Sequence, residues 1–122
     1  MTSTALRRKR AAEDERLDLV FHALSDRTRR SLLHRLEQAP ANVTELAEPY
    51  DMSLPAVSKH IRVLERAGLL KRAIDGRVHR CMLDSGPLLE ADRWLMHYRV
   101  FWDDALNALT EFIQAEKSGE KK

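Results

Sequence analysis

Apolar residues first recur with a helical period at Leu17, Val20, Phe21 and Leu24, an i, i+3, i+4, i+7 stripe. Ser25-Asp26 interrupts it, and Asp26 is placed to cap a second helix whose inward residues are Leu32, Leu33 and Leu36. Pro40 ends that helix, because it disfavours a helical backbone at Ala39. A short helix is predicted from Thr44, with Leu46 and Ala47 inward, and Pro49 stops it. Ser53 then caps a helix over residues 54–67, with Pro55 in its first turn, where a missing N–H costs nothing. Leu54, Val57, Ile61 and Leu64 form the expected buried stripe, and Gly68 suits the position after its end.

After Gly68 the period changes. Residues 69–75 and 78–83 are strand-like runs, and Asp75-Gly76 between them is a hairpin signal. Ser85-Gly86-Pro87 reads as a loop, and a long helix is predicted from Leu88 to about Gln114. The fold class is therefore mainly α with a small β-hairpin wing, the outline of a winged helix-turn-helix. The expected organisation is a flexible basic arm over residues 1–14, the winged domain with terminal dimerisation helices over 15–116, and a disordered tail over 117–122.

Composition narrows the class. Hydrophobic residues make up 43% of the 122, enough for a core. No run of about 18 apolar residues occurs, so no membrane span is expected. Met1 to Arg16 is charged without a following apolar stretch, unlike a secretory signal. The single cysteine, Cys81, fits a reducing, cytoplasmic setting. No Ser-His-Asp, Cys-His or paired-carboxylate set has motif-like spacing, so an enzyme is not expected.

The net charge of +2 hides an uneven distribution. Residues 53–80 hold seven basic and two acidic groups, whereas residues 1–52 balance and residues 81–122 are net negative. A localised basic segment suits an anionic partner, although a solvated surface has the same composition.

On a helical wheel for residues 54–67, Pro55, Lys59, Arg62 and Arg66 fall opposite the apolar stripe, with Ala56, Ser58 and Val63 on the flanks. Small residues allow close approach to a groove floor, and lysine or arginine satisfies phosphates and guanine edges. Ser53 and Ser58 offer hydroxyl donors, and His60 lies at the core boundary, open to packing or to contact. Arg77 and Arg80 on the wing suit flanking phosphates, or else protect an exposed sheet edge. Arg7-Arg8-Lys9-Arg10 is a further candidate for the minor groove.

In the last helix Leu88, Leu95, Trp102 and Leu109 recur every seven residues, with Ala91, Tyr98, Ala105 and Phe112 between them. This seam suits a second copy of the chain through Leu88, Leu95, Tyr98, Trp102, Leu109 and Phe112; the alternative is an intramolecular core helix. An aromatic-lined pocket for a small effector between subunits is a further use of the same residues.

Val43-Thr44-Glu45-Leu46-Ala47-Glu48, Met52 to Ile61 and Val63-Leu64-Glu65-Arg66-Ala67-Gly68-Leu69 together resemble the arsenical-resistance-repressor (ArsR/SmtB) family. Ser58-Lys59-His60-Ile61 with the following Ala67-Gly68-Leu69 is the most specific part, and Leu24 to Arg30 resembles the start of the family's second helix. The similarity covers about residues 17–113. It implies a prokaryotic, autoregulated homodimeric repressor on a pseudo-palindromic operator in double-stranded DNA. The DNA-contacting positions it implies are Ser53, Pro55, Ala56, Ser58, Lys59, His60 and Arg62.

The family's metal-sensing motifs are missing. The helix before the reader carries no thiol, and the last helix has a single histidine, His97. His22, His34, His60 and His79 are scattered, so neither a metal nor another cofactor is expected. The alternative function is a winged-helix protein-interaction module without sequence-specific DNA binding.

Overall fold

The computed structural model describes residues 2–120. Five helices and three strands follow in the order α1 (Thr2–Leu24), α2 (Arg27–Gln38), β1 (Ala41–Asn42), α3 (Val43–Ala47), α4 (Leu54–Arg66), β2 (Leu70–Asp75), β3 (Val78–Leu83) and α5 (Gly86–Glu120). They divide into a compact unit of residues 1–91 and a second unit of residues 92–122.

The helix ends form where the side-chain chemistry favours them. Asp26 accepts from the backbone N–H groups of Thr28 and Arg29, at 2.8 and 3.1 Å, and so caps α2. Ala39 leaves α2 in an extended conformation ahead of Pro40. Asn42 caps α3 by accepting from Glu45 N–H, and Ser53 Oγ accepts from Ala56 N–H at the start of α4. At the end of α4, Gly68 takes φ +77°. That conformation lets Leu69 N–H reach Leu64 O and Gly68 N–H reach Glu65 O, the paired bonds of a Schellman ending.

The core of the first unit gathers Val20 and Ala23 of α1, Leu32, Leu33 and Leu36 of α2, Leu46 of α3 and Val57, Ile61 and Leu64 of α4. Ala67, Leu69, Leu70, Cys81 and Ala91 complete it. Leu17, Phe21 and Leu24 are partly buried against this cluster. Cys81 is fully buried, and burial pushes its thiol pKa up, against the opposing influence of the Arg72 cation.

The sheet is antiparallel with order β1-β3-β2. β1, which periodicity did not predict, pairs Ala41 with Cys81 and Asn42 with Arg80. Asp75 pairs with Val78, so the hairpin turn is Gly76-Arg77 rather than Asp75-Gly76. Gly76 at φ +61° occupies the first central position, where a two-residue turn of this hand needs glycine.

Three boundaries differ from expectation. Residues 2–14, expected as a flexible arm, are helical and continuous with the rest of α1. No glycine or proline lies between Thr2 and Leu24, and Ala, Arg and Glu propagate a helix well. α5 begins at Gly86, where Asp84 accepts from Gly86 N–H at 3.0 Å. It ends at Glu120, past the expected frayed end, and residues 121 and 122 of the expected tail lie outside the described residues.

Candidate nucleic-acid interface

α4 turns Val57, Ile61 and Leu64 into the core, which leaves Pro55, Lys59, Arg62 and Arg66 on its exposed side. Ala56, Ser58 and Val63 are intermediate in burial on the flanks, and Ser53 is exposed at the tip. The outer face therefore presents small residues near its start and three cations along its length.

The basic residues of the helix and wing fall into two sets. Lys71 pairs with Asp84 at 3.3 Å, and Arg72 with Glu65 at 3.3 Å. Lys59, Arg62, Arg66, Arg77 and Arg80 make no ion pair among the described residues. All five are exposed, and Arg77 stands in the turn at the tip of the hairpin. The unpaired cations have no carboxylate of their own chain to compete with an external anion, whereas Lys71 and Arg72 each have one within ion-pair distance. Arg66 belongs with the free set, as the wheel places it.

His60 faces the other way. Its side chain is 19% exposed, and Nδ1 lies 3.1 Å from Arg29 Nη1 and 3.9 Å from Asp26 Oδ2. Because arginine only donates, His60 Nδ1 is the acceptor. Arg29, itself 8% exposed, also donates to Ala23 O at 2.8 Å and His22 O at 2.9 Å. One guanidinium thus closes the carbonyl end of α1 and props α4 through His60. The sequence pattern gave no sign of Arg29 as a buried residue, since arginine is usually exposed.

Leu54 also departs from its expected place. It continues the apolar stripe of α4, yet it is 49% exposed. A cleft of 320 Å³ opens beside it, lined by Val43 and Thr44 at the start of α3 and by Arg77, Val78 and His79 of the wing. Thr44 and Val43 enter the surroundings of the site only through the tertiary fold.

On the last helix, Leu95, Tyr98, Trp102, Leu109 and Phe112 are all exposed. Leu88 is instead partly buried against the core of its own chain, so the first position of the expected seam is occupied intramolecularly. The Trp94 and Tyr98 rings lie tilted at 52° with centroids 5.1 Å apart, and Phe101 and Trp102 meet edge to face at 6.4 Å. Among the described residues, no group of three or more His, Cys, Asp or Glu converges as a metal site. No helix among them is long and apolar enough to cross a membrane.

These elements define a winged helix-turn-helix, with α3 and α4 as its paired helices and β2-β3 as its wing. Residues 24–73 match the family model of a helix-turn-helix domain. The chain is 35% identical over 103 residues to the HTH-type transcriptional regulator Rv2034 of Mycobacterium tuberculosis, covering 81% of this chain and 90% of that protein. It is 28% identical over 79 residues to the transcriptional repressor SdpR of Bacillus subtilis, covering 65% and 88%. Among solved structures, the ArsR family transcriptional regulator RHA00566 superposes with a TM-score of 0.70 at 41% identity, covering 74% of this chain and 93% of that one. The chain belongs to the ArsR family of transcriptional regulators, a class without enzymatic activity.

Proposed function

We propose that the chain is a cytoplasmic, autoregulated repressor that binds a pseudo-palindromic operator as a homodimer. Ser53, Pro55, Ala56, Ser58, Lys59 and Arg62 face the major groove, and Arg77 and Arg80 reach the flanking backbone. The observation that carries this reading is the set of exposed, unpaired cations on one helix and its adjoining wing, beside Lys71 and Arg72, which pair with Asp84 and Glu65. His60 acts behind the interface by bracing α4 against Arg29.

Dimerisation follows from α5. Leu95, Tyr98, Trp102, Leu109 and Phe112 leave more apolar and aromatic surface on one helix than a monomer normally exposes. A second copy removes that surface from water and sets two reading helices about 34–36 Å apart, one turn of the duplex. The same rings would line a pocket for a small effector.

Titration of the full chain against its own upstream DNA tests the proposal. Affinity should fall steeply with salt, and Lys59→Ala/Arg62→Ala should weaken binding at least about tenfold and lower the salt slope by about two. A double variant that binds as tightly as wild type removes α4 as the reader.

A further inference from the structure

We propose that Leu54 makes the chain's half-site thymine-dependent, by packing against a thymine methyl group in the major groove; this rests on α4 being the reading helix. Leu54 is the first residue of α4, directly after its cap Ser53. Recognition helices bring their N-terminal residues to the base edges. A leucine there cannot donate or accept a hydrogen bond. Among the edges that a major groove displays, the thymine C5-methyl is the apolar one.

Three observations support this use of the residue. A single exposed leucine is ordinary by itself. Here, however, Leu54 lies on the apolar stripe of its helix and remains 49% exposed, because the first turn of α4 projects past the core that covers Val57, Ile61 and Leu64. The adjoining cleft adds Val43 and Val78 as apolar walls, with Asn42, Thr44, His79 and the Glu65-paired Arg72 as polar ones. Arg77, unpaired and exposed, lines the same cleft, while Lys59 and Arg62 stand free on the same helix. Apolar side chains beside one unpaired arginine, on a helix that carries two more free cations, are complementary to a methyl group flanked by phosphates, and offer an anionic polymer more than they offer a neutral protein surface.

Duplex sites selected from random DNA by the full wild-type chain provide the test, with each thymine replaced in turn by uracil, which lacks only the methyl. Wild type should lose about fourfold in affinity at one or two thymines per half-site, the change that one buried methyl supports. Leu54→Ala should bind thymine and uracil sites equally, with uracil-site affinity within about twofold of wild type, since a truncated leucine has no methyl contact left to lose. Leu54→Gln, which restores length without an apolar tip, should also be indifferent to the methyl; both variants should keep the wild-type melting temperature. Indifference of wild type to every uracil replacement overturns the proposal, as does methyl dependence that survives in Leu54→Ala. If wild type selects no sites at all, the reading of α4 as a DNA reader fails first, and this inference fails with it.

Discussion

Arg72 of β2 reaches Glu65 at the end of α4, with Nε 3.3 Å from Oε2 and Nη2 3.4 Å from Oε1. The Nε contact has ion-pair distance without hydrogen-bond geometry, and that nitrogen is buried. Nη1 donates to His79 Nδ1 at 3.0 Å. One guanidinium thereby links α4 to both strands of the wing.

That linkage should be measurable as a coupling energy. In a double-mutant cycle with Glu65→Gln and Arg72→Met, urea unfolding should give a coupling of about 0.5–1 kcal/mol. The magnitude is modest because Glu65 is more than a third exposed and water screens the pair. A coupling of zero means that the wing is anchored by its apolar contacts alone.

Asp26 carries a pH dependence. Burial pushes its pKa up, but the N–H groups of Arg29 and Thr28 and the charge of Arg29 together hold it below the usual carboxylate range. A depressed carboxylate stabilises the fold above its unfolded pKa, near 3.8, and that contribution is lost as pH falls through the lower folded value. Asp26→Asn keeps the capping acceptor and should flatten the acid limb of the stability curve. Asp26→Ala should lose about 1 kcal/mol at neutral pH as well. Equal acid limbs in wild type and Asp26→Asn would refute the assignment.

Gly68 is irreplaceable on two counts. Its φ of +77° is costly for any residue with a Cβ, and an added Cβ would meet Pro87 Cγ at 3.3 Å. Gly68→Ala should destabilise the chain by about 1–3 kcal/mol in chemical denaturation. Gly76→Ala, also at positive φ but in open space, should cost the backbone strain alone and therefore less.

The association state tests the last helix. Wild type should sediment as a dimer, and Trp102→Glu/Leu109→Glu as a monomer with unchanged helical content, because both side chains are exposed in the isolated chain. The monomer should bind a full palindrome no better than a half-site. A variant that remains dimeric places the interface elsewhere.

Much of the fold was legible because its punctuation is local. Asp26, Ser53, Pro40 and Gly68 act within a few residues of themselves, and each ends or begins an element as its chemistry requires. The wing strands were likewise visible, though the turn register shifted by one residue because Asp75 pairs across to Val78. What stayed hidden depends on distant neighbours. β1 exists only because Cys81 and Arg80 return beside Ala41 and Asn42. A helical wheel gives the side on which Leu54 and His60 lie; whether another element covers that side is a tertiary fact. Leu54 is left open, and His60 is taken up by Arg29. The free and paired cations of the basic segment, alike in sequence, are sorted by Asp84 and Glu65.

Arg35 of α2 donates to the carbonyls of Leu46 and Glu45, at 2.6 and 3.0 Å, and lies over the Tyr50 ring. α3 has five residues, too few to persist without outside support. The first half of the helix pair therefore borrows its existence from a side chain two elements upstream. A genetic screen for lost regulation would recover substitutions at Arg35 beside those on α4, and only their thermal sensitivity would tell a broken scaffold from a broken reader.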